Sequence, residues 1–430
     1  MIQKGLLIKR LNSLPLELQH IIFLSRNLAR IEKIGVYLVG GFVRDLLLGV
    51  DNFDLDIVVE KDGIEFAYKL SRILDGTVVK HKAFGTATIT KKNGSKIDIA
   101  TSRKEFYPAP AALPVVNEGG IEDDLFRRDF SINAMACHID FEKFGRLVDR
   151  FNGLKDLKDG RIRCLHEESF IDDPTRIIRA VRFEQRLGFH IDKDTLRLIK
   201  QARNLGMLEK VQKHRIRDEL ILVFKEKNPY KVLRRLKQIY NLTFIDRHIK
   251  LNRDCKKVFF NLNKACVRFQ HSFPQRRPLD IWLMYLMFFL SPIKLRFLQR
   301  ILGKYAFCCG DTKRIISFNK EFRKIDKNLS KKKLSAAGLH SILSPLSYEV
   351  ILLTLALSKR QRTKQRIQDF FVKHHHKKLT ITGGDLLSLG IKPGPKFKKL
   401  FQVVLRAKIN GKIHNREEEL GFVKKIINKK

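Results

Sequence analysis

The stretch "YLVGGFVRDLLLGVDNFDLDIVVE", residues 37 to 60, restricts the fold more than any other part of the chain. A β-prone run stops at Gly40-Gly41, a helical run "FVRDLLLG" follows, and a second β-prone run carries an Asp-x-Asp at its start. Strand, tight turn, helix and strand packed this closely specify a small mixed sheet. Further β-prone runs "TVVKH", "TATITK" and "KIDIAT", with "GIEFAYKLSRILDG" as a helix among them, extend it to about residue 150. After about residue 151 strand signals vanish and apolar residues recur three and four apart, so the remainder is expected to be helical.

The same stretch carries candidate chemistry. Absent side chains at Gly40 and Gly41 let backbone N–H groups approach phosphate oxygens, although any tight strand-to-helix turn can use such a pair. Arg44, one turn into the helix, adds a cation for the same phosphates. In a strand, residues i and i+2 share a face, so Asp54 and Asp56 converge and can share Mg²⁺. Asp98, between Ile97 and Ile99, occupies the same kind of setting, and adjacent strands would align all three acids. Such carboxylates beside a phosphate-binding turn suit two-metal phosphoryl or nucleotidyl transfer.

Two later segments add polar groups. "DDLFRRDFSINAMA" (123 to 136) places Arg127 and Arg128 to hold phosphate or ribose oxygens, with Asp129 and Asn133 to test a ribose hydroxyl; a charged helix start is the equal alternative. "DDPTRIIRAVRF" (172 to 183) reads as a helix start with Pro174 in its first turn, which puts Asp173 and Arg176 on one face, where an ordinary ion pair also fits.

Charge is distributed unevenly. Residues 1 to 150 hold 22 basic and 20 acidic side chains, net +2, whereas residues 201 to 400 hold 45 and 13, net +32, within a total of +41. A field of that size points to a nucleic-acid partner and salt-dependent binding. The six cysteines form no Cys-x-x-Cys pair and read as reduced core thiols. His374 to His376, flanked by lysines, reads as a solvated linker. The strongest apolar run, Ile281 to Leu290, is too short to cross a bilayer and reads as a buried helix. The N-terminus shows no signal-peptide pattern, so a cytoplasmic location is expected.

Together "LVGGFVRDLLLG", "DLDIVV", "RRDFSINAMA", "DDPTRIIRAVRFEQRLGF" and "GGDLLSLGIKPGP" resemble the class II tRNA nucleotidyltransferase and bacterial poly(A) polymerase family of the DNA polymerase beta superfamily. The resemblance implies an α+β protein, mostly helical: a catalytic head (1–150), a neck (151–228), a body (229–372) and a tRNA-binding tail (373–430). It implies Asp54 and Asp56 as Mg²⁺ ligands, Asp98 as third carboxylate, and tRNA, ATP and CTP as partners. The nucleotide-binding set it implies is Gly40, Gly41, Arg44, Asp45, Arg127, Arg128, Asp129, Asn133, Asp173, Arg176, Arg179 and Arg182. Asp173 and Arg176 would read the base edge, because cytosine and adenine each set an amino donor beside a ring acceptor, whereas uracil and guanine present a carbonyl to the carboxylate.

Two positions depart from the family pattern: Asp172 stands where Glu is usual, and "KPGPKFKKL" brings lysines into the tail. The segment before "RRD" is not shortened, which argues against a CC-only enzyme, and its "PAALPVV" fits A-adding and some CCA-adding enzymes alike. No histidine-aspartate constellation follows the neck, so no phosphohydrolase activity is expected. Poly(A) polymerase activity and a non-catalytic RNA-binding role are the competing expectations.

Overall fold

The structure is a computed structural model that describes residues 2–51, 54–249, 251 and 253–428. Alternating β-branched runs build a seven-stranded sheet from β1 (Val36–Val39), β2 (Leu55–Val59), β3 (Thr77–His81), β4 (Thr86–Thr90), β5 (Lys96–Thr101), β8 (Ala136–His138) and β9 (Leu147–Val148). Its order is β3-β4-β5-β2-β1-β8-β9, while β6 (Arg103–Phe106) and β7 (Val115–Glu118) form a separate hairpin. Within the large sheet β2 and β5 run parallel, and the other pairings are antiparallel.

Register explains the site. Leu55 pairs with Ile97 and Ile57 with Ile99, all four buried against the core, so the intervening pair Asp56 and Asp98 must emerge together on the opposite face. A one-residue slip would bury both carboxylates, which is why the apolar alternation fixes their position. The helix Gly63–Leu74 covers the sheet with Phe66, Ala67 and Leu70, and Asp62 caps it by accepting from the backbone N–H groups of Ile64 and Glu65.

The chain divides into two compact units: residues 1–227 with 231–244, and 228–230 with 245–430. The first contains the sheet and the helix Thr175–Leu187, whose start after Pro174 leaves Asp173 outside the helix at φ −129°, ψ 90°. Asp173 and Arg176 therefore do not share a helical face, a correction that follows from proline occupying the cap. A second correction is a short parallel pair after residue 151, β10 (Arg161–Ile162) with β11 (His190–Ile191). In the 123 to 136 segment, Arg127 ends the helix Ile121–Phe126 and starts none.

The second unit is all helical among its described residues. Its core is the apolar helix Ile281–Leu290, with Leu283, Met284, Leu286, Met287, Phe289 and Leu290 buried, and a C-terminal cluster gathers Leu386, Leu400, Val404 and Val423. Among the described residues no single helix is long and apolar enough to cross a membrane. Cys137, Cys164, Cys255 and Cys266 are buried as expected, but Cys308 and Cys309 are exposed at a helix start. The histidine run also differs from a solvated linker: the His375 ring packs 5.3 Å from Tyr348 and 5.4 Å from Phe370.

Candidate active site

A cavity of about 750 Å³ opens in the first unit, lined by Gly40, Gly41, Arg44, Asp54, Asp56, Arg127, Arg128, Asp129, Asn133, Asp173, Arg176, Arg179 and Arg182. Of the residues singled out from the sequence, Asp98 and Asp45 do not line it. Asp98 stands beside Asp56 in the sheet and accepts a hydrogen bond from Thr88 Oγ1 at 2.6 Å. Asp45 grips Arg44 from behind, taking Nε at 2.7 Å and Nη2 at 2.9 Å.

Gly40 sits at φ 66°, ψ −129°, and a Cβ there would lie 2.5 Å from Arg128 Nη1. Glycine thus serves both the turn and the close approach of a cation. Arg128 and Arg127 share fully buried Asp124, at 2.8 Å and 2.7 Å. Burial pushes the Asp124 carboxyl up, but the two guanidiniums outweigh it and hold it below its ordinary value. A carboxylate so fixed keeps both arginines at the cavity wall.

Arg44 lines the cavity as a cation held rigidly in place. It is buried, ion-paired to Asp45, and donates through Nη1 to Asn133 Oδ1 at 2.7 Å. Asn133 Nδ2 donates to Asp129 Oδ1 at 2.9 Å, and Asp129 Oδ2 receives Arg179 Nε at 2.8 Å and Nη2 at 2.6 Å. A continuous polar chain therefore ties the turn helix Gly41–Leu48 to the helix Thr175–Leu187. Asp129 and Asn133 already spend these polar atoms on one another.

Asp173 Oδ1 accepts from Thr175 N at 3.0 Å, Thr175 Oγ1 at 2.6 Å and Arg215 Nη2 at 2.7 Å. Arg176 instead donates to Ser169 Oγ at 2.8 Å and to the Arg127 carbonyl at 2.7 Å. The two side chains proposed to read a base are thus fixed by different partners. Burial, then the charge of Arg176, lowers the His166 pKa to about 4.

Arg215, Glu219, Glu105 and Tyr107 were missed by the sequence reasoning. Arg215 holds Asp173 and donates to the carbonyls of Ala111 and Ala112, at 3.3 and 3.4 Å, in the loop between β6 and β7. Glu105 receives Arg103, Arg127 and Tyr107. Glu219 Oε2 and Arg182 Nε are buried, have no hydrogen-bond partner among the described residues and lie 3.7 Å apart. The spacing of Arg215 and Glu219 in "HRIRDEL" was a usable signal, but i, i+4 charges equally describe a helix surface.

The carboxylates suit a hard cation. Burial raises the Asp56 pKa to about 6, and Asp98 and Asp54 push the same way against Arg128. A bound cation would relieve that repulsion. Among the described residues no three His, Cys, Asp or Glu form a ready-made metal cage.

Three family models match: "Poly A polymerase head domain" over residues 36–163, "Probable RNA and SrmB- binding site of polymerase A" over 188–242 and "tRNA nucleotidyltransferase domain 2 putative" over 282–423. The chain belongs to the class II tRNA nucleotidyltransferase and bacterial poly(A) polymerase family. An A-adding tRNA nucleotidyltransferase of Halalkalibacterium halodurans is 33% identical over 93% of this chain and 90% of its own length. One of Geobacter sulfurreducens is 34% identical over 90% of this chain, which spans only 44% of that longer protein. The solved Thermotoga maritima CCA-adding enzyme complexed with tRNA is 34% identical, covers 99% of this chain and 98% of its own, and superposes with a TM-score of 0.69.

Proposed function

We propose that this protein is a Mg²⁺-dependent nucleotidyltransferase of the cytoplasm that adds the terminal A to the 3′ end of tRNA. The observation that carries the reading is the meeting of Asp54, Asp56, Asp173 and Arg176 in one cavity, with Asp98 in register beside Asp56. The A-adding relatives support the choice of product. Addition of the whole CCA is the second reading, supported by the Thermotoga enzyme's likeness along nearly all of the chain.

In this reaction the RNA 3′-hydroxyl oxygen bonds to the α-phosphorus of the nucleotide and gives up its proton to solvent, the bond from that phosphorus to the bridging oxygen breaks, and pyrophosphate leaves. Asp54 and Asp56 would hold the metal, which when bound neutralises the triphosphate and favours the 3′-alkoxide. Arg127 and Arg128, locked by Asp124, face the phosphates, while Gly40 leaves the space that Arg128 needs. Asp173 accepts from the exocyclic amino group of adenine, and Arg176 donates to the neighbouring ring nitrogen. Residues 1–150 act as catalytic head and 151–228 as neck, and the basic body (229–372) and tail (373–430) hold the tRNA.

Replacing Asp56 by Ala tests the assignment: nucleotide incorporation is lost while tRNA affinity stays near that of the parent protein. Parallel collapse of tRNA binding would sink the role given to Asp56.

A further inference from the structure

The second unit has a cavity of its own, about 790 Å³, and none of its lining residues is acidic. Arg276, Ser347, Tyr348, His375 and Lys378 are among the residues that form its walls. Arg276 is held by neutral groups: Nη1 donates to Tyr348 Oη at 2.7 Å and approaches His375 Nδ1 at 2.6 Å. Its guanidinium also lies 5.2 Å from the Phe273 ring centre and 5.4 Å from that of Tyr348. Among the described residues no carboxylate pairs with Arg276, whereas neighbouring Arg277 is matched at 2.8 Å by buried Glu349.

This arrangement is unusual for a mere basic surface. Exposed arginines are rarely anchored, because ordering a long side chain costs rotamer entropy that a screened contact does not repay. Here the fork is fixed while Nε and Nη2 keep no acceptor among the described residues. A planar pair of donors so presented matches two oxygens of a phosphate. Lys378 adds a second cation. Burial, then the charge of Arg276, lowers the His375 pKa to about 4, so its ring accepts from Arg276 and adds no competing charge.

We infer that this cavity is a phosphate-binding site, distinct from the candidate active site, with Arg276 and Lys378 as its cations. The phosphate comes from an RNA backbone or from a free nucleotide; the RNA source rests on the tRNA reading above. The full-length protein, Arg276→Gln, Arg276→Lys and Lys378→Ala are compared by anisotropy with a labelled RNA hairpin carrying a 3′ CC end, across a salt series, and by equilibrium dialysis with ATP. Lys378 is exposed, so its variant remains informative even if Arg276→Gln fails to fold.

For RNA, Arg276→Gln weakens the hairpin at least about tenfold and lowers the salt slope by about 1, with Arg276→Lys intermediate and Lys378→Ala in the same direction. For free nucleotide, hairpin binding is unchanged and a second equivalent of ATP is lost in both neutralising variants. Unchanged hairpin affinity together with unchanged ATP stoichiometry overturns the inference. Nucleotide incorporation by the parent protein separates the two failures: normal incorporation with unaltered binding removes this site alone. Absent incorporation with the predicted binding losses removes the active-site reading alone.

Discussion

Asp129→Ala should show that the link between the helices Gly41–Leu48 and Thr175–Leu187 is a structural joint. Asp129 is 7% exposed and collects four donors: Phe130 N and Asn133 Nδ2, both at 2.9 Å, and Arg179 Nε and Nη2 at 2.8 and 2.6 Å. Burial disfavours its charge, yet Arg179 and Asn133 hold the carboxyl below its ordinary value, so the ionised form is the one bound. Removing one partner of a fully buried pair costs roughly 3–5 kcal/mol. Arg179 keeps Glu219 at 3.4 Å and its side chain is 31% exposed, so water and a second carboxylate soften the loss. The expected destabilisation is about 2–3 kcal/mol. Asp129→Asn, which keeps the acceptor for Phe130 and Asn133, should cost about half as much.

A chain with two compact units need not unfold in one step, so hydrogen exchange of the helix Thr175–Leu187 is the better assay, with urea denaturation alongside. Arg179→Met closes a double-mutant cycle whose coupling energy should be about 2 kcal/mol. A change in the Asp129→Ala protein within about 0.5 kcal/mol of zero, or strictly additive single variants, would refute the reasoning.

Arg176→Ala should relax base choice more than it weakens tRNA binding, read as the ratio of kcat/KM for ATP over UTP; unchanged rejection of UTP contradicts the base-reading role. Arg215→Ala frees Asp173 and the Ala111–Ala112 carbonyls together, so selectivity for ATP over GTP should fall about tenfold while tRNA affinity holds; an unaltered ratio removes Arg215 from the positioning of Asp173. Acidification should act in two stages. His166 and His375 titrate near pH 4 in the folded chain and near 6.5 when unfolded, so the unfolded state binds more protons between those values. The histidine contribution to stability therefore falls as pH drops from about 6.5 to 4, partly offset by Asp56, whose folded pKa of about 6 lies above its ordinary 3.8 and so adds stability over the same fall, whereas Asp124 and Asp129, held below their ordinary value, keep their contribution until below about 3.8. His166→Gln should flatten the upper stage in thermal melts, and an unchanged slope would exclude it.

Much of the head was legible because period-two alternation leaves little freedom. With Leu55, Ile57, Ile97 and Ile99 committed to the core, Asp56 and Asp98 could only meet on the other face. What stayed illegible depends on contacts between segments distant in sequence. Nothing local tells that Arg44 would reach Asn133, or that Arg215 would take Asp173 from another helix. The histidine run misled in part for the same reason: flanking lysines suggest solvent, but Tyr348, from another helix, together with Phe370 one turn before, draws His375 inward. The β6–β7 hairpin was missed because its strands are short and largely polar.

The most direct test supplies single labelled nucleotides, with Mg²⁺, to two tRNAs, one lacking the whole CCA end and the other only the terminal A. ATP incorporated into the second alone, with UTP and GTP refused, is the predicted result, and CTP followed by ATP on the first would establish full CCA addition. A folded protein that incorporates no nucleotide into either tRNA would contradict the account.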